Sequence, residues 1–520
     1  MKKIITLMLV LILLSTSSCT LDSEIYDIIS QESFPKTEND VKAAVTAVYT
    51  TFKSDVGLLS PSWDAYQIPT EMSTDIGQCS WGDAFWGQIM YQNWWPEPNG
   101  MAPISAQCFW YYSRISRATL TMHRIKDVVM DEDLKKRYMA EIMAARSWLS
   151  FILYDLYGPI PIATLEQLLQ NNDKLILPRL SEEEMVKYIV DGMNAAIPDL
   201  PYHYDDTNYG RFTKGLCYMV LLKLYMNQHD WTNAISTARE LMKPEYGYRL
   251  YPRSQGGYPG LFTLKAERDA EIIYSVPNSS EFPNAWFPLV VAPSYPLKNS
   301  AIQKWGGYKM TWDFYYKFER GDERLTRLIA SYTGKDGLPY NEVLTGSESD
   351  LKLGVLPIKY EEDPASIGTD NQIDWIVYRY ADVLLLLSEA LNRQNGSPTP
   401  ECFDLLNQVR ERAGLPPATK VAAYIVTTVK GSSLRPVKLT YNLTTMDGFN
   451  EFLLAERGHE LWFEGCRRQD LIRHGKYFEA VRKKIGYREG MSSENRKYYP
   501  IPSWIIQEGK GIIIQNEPYK

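Results

Sequence analysis

The chain has 520 residues, 45% apolar and 23% charged, a composition that excludes wholesale disorder and fits either about three ordinary domains or one long helical-repeat body. Its 56 Lys and Arg against 63 Asp and Glu leave a net charge of −7, which argues against a dedicated nucleic-acid binder, whose surface needs a basic stripe. Aromatics stand out: 36 Tyr, 16 Phe and 14 Trp exceed what a core requires, so some of these rings should face something other than protein.

The chain opens with a short cationic head, Met1-Lys2-Lys3, an apolar run from Ile4 to Leu14 broken by Thr6, and the small residues Ser15 to Ser18 ahead of Cys19. This is the pattern of a secretory leader over residues 1–18, and the run is short of the roughly 20 apolar residues a membrane span needs. A cysteine directly after the small residues is similar to a bacterial lipoprotein cleavage site, with Cys19 acylated; the alternative is an ordinary secretory leader. The other cysteines, Cys79, Cys108, Cys217, Cys402 and Cys466, are widely spaced with no C-x-x-C, so neither a disulfide framework nor a zinc site is predicted.

Asn39 to Phe52 shows helical periodicity through Val41, Ala44, Val45, Val48 and Tyr49. From Leu134 the same spacing runs through Tyr138, Ile142, Ala145, Leu149, Ile152 and Leu156 until Gly158-Pro159 stops it. Arg211 to Asn227 and Trp231 to Lys243 read as two helices about the turn Gln228-His229-Asp230, at spacings similar to a tetratricopeptide unit. Tyr378 to Gln394 with Glu401 to Ala413 repeats that layout, and Gly448 to Phe463 and Asp470 to His474 follow. A lone helix pair leaves an apolar face bare, so several should stack. Two long stretches, about 55–112 and 244–375, are instead rich in Gly, Pro, Asn, Ser and aromatics, with short strand-like runs such as Glu271 to Val276. The predicted fold is mainly α. One body, residues 19–520, has a tetratricopeptide-like helical-pair scaffold (mainly 35–54, 113–243 and 376–480) carrying large irregular loop insertions and a few short strands. Helical Trp148, Trp231 and Trp462 are predicted to be core.

Enzyme signatures are missing. None of the five histidines forms His-Glu-x-x-His, and there is no Gly-x-Ser-x-Gly elbow, phosphate loop or Gly-x-Gly-x-x-Gly. Asp131-Glu132-Asp133 lacks the glycine and closing glutamate of a calcium loop. No catalytic residue, metal or cofactor is predicted, although a converging carboxylate pair of the glycosidase kind cannot be read from sequence spacing.

The aromatic loops carry the functional signal. Trp81, Trp86, Tyr91, Trp94, Trp95, Trp110, Tyr111 and Tyr112 crowd together among Asp75, Gln88, Gln92 and Asn93. A second group holds Trp286, Phe287, Tyr295, Trp305, Tyr308 and Trp312 beside Asn278, Asn284, Asn299, Gln303 and Lys304. Sugars present apolar C–H faces edged by hydroxyls; flat rings cover the faces while amides and carboxylates take the hydroxyls, and rings lose little rotamer freedom on binding. The candidate ligand-binding residues are Asp75, Trp81, Trp86, Tyr91, Asn93, Trp94, Trp95, Trp286, Tyr295 and Trp305.

The C-terminal third carries a resemblance. Tyr378-Arg379-Tyr380-Ala381-Asp382, Ser388-Glu389-Ala390-Leu391-Asn392, Asn407 to Pro416, Glu456-Arg457-Gly458-His459-Glu460-Leu461, Phe463-Glu464-Gly465 and Tyr499-Pro500-Ile501-Pro502 together resemble the SusD/RagB family. Upstream, Glu141, Ala145-Arg146, Gly158-Pro159-Ile160-Pro161 and Gly210-Arg211 fall in the family's order. The resemblance implies an outer-membrane lipoprotein at the cell surface that binds an oligosaccharide or polysaccharide without turning it over and passes it to a SusC-like TonB-dependent transporter, with no nucleic-acid partner. A peptide- or other nutrient-capturing relative is the alternative, and a glycoside hydrolase a more distant one. The charged motif residues Arg379, Glu389, Arg410, Glu456, Arg457, Glu460, Glu464 and Arg468 are predicted to hold helices in register, because buried charges need partners.

Overall fold

A computed structural model describes residues 34–53, 57–62, 65–82, 86–92, 108–170, 175–344, 347–430, 433–485, 497–517 and 519–520. The predicted leader and Cys19 lie outside these residues, as do Asn93, Trp94 and Trp95.

The scaffold is a succession of helices whose ends follow local chemistry. Helix α1 (Glu38–Tyr49) begins with a capping box in which Thr37 and Asp40 satisfy each other's backbone amides. Helix α2 is Ser113–Ile125 and α3 is Glu132–Tyr157. Asp131 caps α3, Glu132 and Asp133 complement its dipole, and Gly158 ends it at φ 73°, a backbone angle that a β-carbon would strain. Helix α4 (Glu182–Ala196) repeats the capping box with Ser181 and Glu184. Then come α5 (Lys214–Asn227), α6 (Trp231–Leu241), α7 (Tyr380–Asn395), α8 (Pro400–Arg412), α9 (Met446–Glu460) and α10 (Arg467–Arg473). Helix α3 packs against α2 and α4, α5 against α6, α6 against α7, and α7 against α8 and α9, so each pair covers its neighbour's apolar face as the repeat reading requires. Among the described residues no helix is long and apolar enough to cross a membrane.

Two details correct the predicted boundaries. Tyr378 and Arg379 are not helical: they end a strand, Trp375–Arg379, every residue of which is buried, and α7 starts at Tyr380. The scaffold span 376–480 also contains a hairpin, Val421–Lys430 paired antiparallel with Ser433–Asn442. Its β-branched run Val421-Ala422-Ala423-Tyr424-Ile425-Val426-Thr427-Thr428-Val429 is the strand signal that helix-pair reasoning passed over.

The loop insertions are tied to each other by a small sheet. Strand β1 (Gly77–Cys79) pairs antiparallel with β3 (Tyr308–Thr311), with Gly77 opposite Met310. Strand β3 pairs with β5 (Gly354–Pro357), which pairs with β4 (Leu328–Ile329). Strand β2 (Ile272–Val276) pairs with β6 (Trp375–Arg379). This connectivity brings the residue-80 loop against the residue-305 loop although more than two hundred residues separate them in sequence.

Under the loops runs a buried ion network. The Arg379 guanidinium donates to Glu464 at 2.7 Å, to Glu271 at 2.9 Å and to Glu460 at 2.5 Å. Arg324 reaches Asp322, Glu456 and Glu460, and Arg410 bridges Glu456 and Glu319. Arg457 joins Asp382 to Asp470, Arg473 joins Glu389 to Asp470, and Arg468 reaches Asp155 of α3. Burial alone would raise Glu460, but Arg412, Arg379 and Arg324 outweigh it and hold its carboxyl at about 2. The charged motif residues are therefore structural partners across helices α3, α7, α8, α9 and α10. Cys79, Cys108, Cys217, Cys402 and Cys466 are buried and unpaired by disulfides, and Trp148 and Trp462 are core, while Trp231 is half-buried, stacked on His229 under Arg393.

Candidate functional site

Where the two loop insertions meet, a cleft of about 550 Å3 opens, lined by residues that include Lys53, Ser60, Asn278, Phe282, Trp305, Asp370 and Trp375. That volume falls within the ordinary range for small-ligand clefts. Its frame is rigid. Asn284 and Asn371 exchange backbone bonds at 2.9 and 2.8 Å, and the side-chain amides of Asn278 and Asn284 both donate to the Ile373 carbonyl at 2.8 Å. Asp374 below accepts from the Asn278 backbone at 2.9 Å and from the Tyr209 hydroxyl at 2.6 Å. Burial raises the Asp374 carboxyl above its usual range. Burial and the neighbouring Asp374 charge push Glu267 up to about 7.

The rim is aromatic. Trp305 is 41% exposed, Trp81 39% and Phe282 56%, although rings this large are ordinarily covered. Trp81 and Trp305 stand 6.5 Å apart, inclined at 64°, and the Trp81 indole N–H donates to the Trp305 carbonyl at 3.3 Å. The Trp305 backbone is itself pinned by its N–H to Pro288 O at 2.7 Å. Trp81 can lie there because position 307 is glycine: a β-carbon at Gly307 would come within 2.3 Å of the indole. Buried Trp86 and Tyr308 support Trp81 from beneath, with centroids at 6.3 and 5.5 Å. Lys53 reaches the Pro277 carbonyl and sits 5.4 Å from the Phe282 ring centre, and burial lowers its ammonium pKa. The site therefore combines open ring faces, inclined to each other and fixed from behind, with amide, hydroxyl, ammonium and carboxylate groups. It can stack on apolar faces and hydrogen-bond to polar edges. Among the described residues no group of three or more His, Cys, Asp or Glu side chains is placed to hold a metal ion.

The sequence candidates divide on this frame. Trp81 and Trp305, from different insertions, come together at the rim. Trp86 is buried beneath them, and Tyr91 is half-buried against the core. Trp286 is fully buried, packed on Trp375 at 5.4 Å, so its ring is closed to a ligand. Tyr295 lies edge-on to Tyr332 at 5.0 Å and half-buried, outside the cleft lining. Asp75 is a correction: Arg467 grips it through two bonds of 2.8 and 2.9 Å, and that guanidinium outweighs burial to keep the carboxyl low, so it serves the fold. Phe282, Lys53 and Asp370 were missed. Only Phe282 left a signal, a lone phenylalanine in the polar run Asn278 to Asn284.

Comparison with known proteins finds SusD-like relatives. Residues 333–508 match the family model for the SusD family. The chain is similar to SusD-like proteins over most of its length. A SusD-like protein, P38, of Formosa agariphila is 26% identical over 510 residues, covering 92% of each chain. A SusD-like protein of Bacteroides ovatus is 22% identical over 334 residues, 58% of each chain. Among solved structures, a laminarin-binding SusD-like protein superposes with a TM-score of 0.73 at 21% identity, covering 93% of this chain and all of that one. Surface glycan-binding protein A of Bacteroides thetaiotaomicron, solved with laminarihexaose, gives 0.67 at 20% identity, covering 92% of this chain and 100% of that one. A SusD-like fold thus spans 92–93% of the chain, and its mainly helical, tetratricopeptide-like scaffold is the one these proteins share.

Proposed function

We propose that this SusD-like chain captures an oligosaccharide or polysaccharide at the Trp81–Trp305–Phe282 rim and delivers it to a SusC-like TonB-dependent transporter, as a lipoprotein held at the outer-membrane surface through Cys19. The observation that carries the reading is the exposed, back-supported Trp81–Trp305 pair beside a polar cleft: open indole faces suit the C–H faces of sugar rings, and the surrounding amides and carboxylate suit hydroxyls. The laminarin-binding and laminarihexaose-bound structural relatives favour carbohydrate over peptide on the same scaffold, and laminarin is the natural first ligand to try. Capture without turnover fits a delivery role, because cargo must leave intact.

The test is calorimetry against laminarin and a panel of plant, host and microbial polysaccharides, with Trp305→Ala and Trp81→Ala alongside. Losing one stacked ring should weaken a binding glycan by about 1–2 kcal/mol, or roughly five- to thirtyfold. Binding unchanged in both variants would reject this platform. Radiolabelled palmitate incorporation that survives Cys19→Ala, or failure of any transporter barrel to co-purify, would reject the anchoring and delivery parts separately.

A further inference from the structure

A second cleft, of about 540 Å3, shares no lining residue with the first and lies between α1, α2 and the middle of α3. Four arginines line it: Arg114, Arg117 and Arg124 from α2, and Arg146 from α3. The three on α2 follow at three and seven residues, one stripe of a helix. Helix α2 carries no acidic residue at all, in a chain whose net charge is −7. No carboxylate is found among the described residues lining the cleft.

These charges are left uncompensated. The side chains of Arg117 and Arg124 make no hydrogen bond or ion pair among the described residues, whereas the arginines of the ion network each hold one or more carboxylates. Arg114 donates to the hydroxyls of Thr51 at 3.0 Å and Thr50 at 3.4 Å and lies over the Tyr111 ring, which leaves it without an anion. The Nε of Arg146 is enclosed with no acceptor, its other nitrogens going to Thr119 and Met143. Apolar Ala47, Val48 and Leu149 line the cleft beside them. Guanidinium groups that line one cleft without a carboxylate suit a multiply charged anion, and their forks match phosphate geometry.

We propose that this cleft is a phosphate-binding site whose ligand is a phosphorylated lipid headgroup, with the arginines taking the phosphate and the apolar wall taking the glycerol and upper acyl carbons. The lipid source is favoured because Phe34 lines the cleft fifteen residues after Cys19, a contour of about 50 Å at most, so an acylated chain keeps the site near headgroups. That choice of source rests on the lipid-anchor reading above; the phosphate chemistry does not.

The test uses the mature lipoprotein in zwitterionic detergent, titrated with dihexanoyl phosphatidic acid, dihexanoyl phosphatidylcholine and inorganic phosphate. Arg114→Gln/Arg117→Gln/Arg124→Gln runs beside it, with the single Arg117→Gln as an exposed-site variant that leaves the fold alone. Expected are binding of phosphatidic acid but not phosphatidylcholine, a loss of about tenfold or more in the triple variant and a smaller loss in the single one. Inorganic phosphate binding as tightly as phosphatidic acid would overturn the lipid assignment in favour of free phosphate. No binding of either, or binding indifferent to the arginines, would overturn the site. Glycan binding retained by the triple variant, and phosphatidic acid binding retained by Trp305→Ala, keep failure here distinct from failure of the glycan reading.

Discussion

Replacing Arg379 by methionine should cost the fold about 3 kcal/mol at neutral pH and less in acid. Arg379 is fully buried and serves Glu271, Glu460, Glu464 and the Glu460 carbonyl, so its removal strands carboxylates where water cannot reach them. Breaking one side of a buried pair typically costs about 3–5 kcal/mol. The network gives a second route to the figure. Glu460 sits at about 2 against an ordinary 4.5, a difference worth about 3 kcal/mol if all of it were lost. Arg412 and Arg324 retain part of that depression, which places the expected cost at the lower end of the range. The sign follows from linkage: a carboxylate with a depressed folded-state pKa stabilises above its unfolded value and loses that contribution as pH falls toward about 2. In the variant the stranded carboxyls can take up protons, so the deficit should shrink between about pH 7.5 and about pH 5. Guanidinium unfolding followed by fluorescence at both pH values measures this, with Arg379→Lys, which keeps the charge but not the fork, falling between. A deficit under about 1 kcal/mol at the higher pH, or one that grows in acid, would refute the reasoning.

Lys309 is buried on β3 with no acceptor for its ammonium among the described residues, and burial pulls it down to about 7. Folding therefore disfavours its charge increasingly as pH falls from about 10.5 toward 7, so Lys309→Met should raise stability at neutral pH by several kcal/mol, read as a higher denaturation midpoint. Glu267, raised to about 7, makes the opposite contribution for an acid: wild-type stability declines as pH rises from about 4.5 to 7, and Glu267→Gln should flatten that decline in thermal melts. Phe282→Ala should weaken glycan binding about threefold or more in calorimetry while leaving the melting temperature unchanged, since the ring is 56% exposed.

The helical scaffold was legible because its periodicity is local. The apolar steps from Tyr138 to Leu156 and the stop at Gly158 are stated within one segment, and α3 runs as they require. The Trp375–Arg379 strand was not legible, because its residues are buried on both faces and its partner lies a hundred residues upstream, so no alternation marks it. The site was half legible for the same reason. Composition marked Trp81 and Trp305 as members of ring-rich loops, but only the β1–β3 pairing makes them neighbours. Trp286, with the same surroundings in sequence, faces the core, and Asp75 found an arginine 392 residues away.

The ion network also sets a timetable. Asp75, Asp155, Glu271 and Arg324 leave a synthesising ribosome long before Arg467, Arg468, Arg379 and Glu460 exist to meet them. Until the last third of the chain arrives, the earlier helices hold charges that water solvates better than an unfinished core could. The same groups are solvated in the unfinished chain and paired in the finished one. The network is therefore completed only when the last third of the chain has been made, because that segment supplies Arg379, Glu460, Arg467 and Arg468.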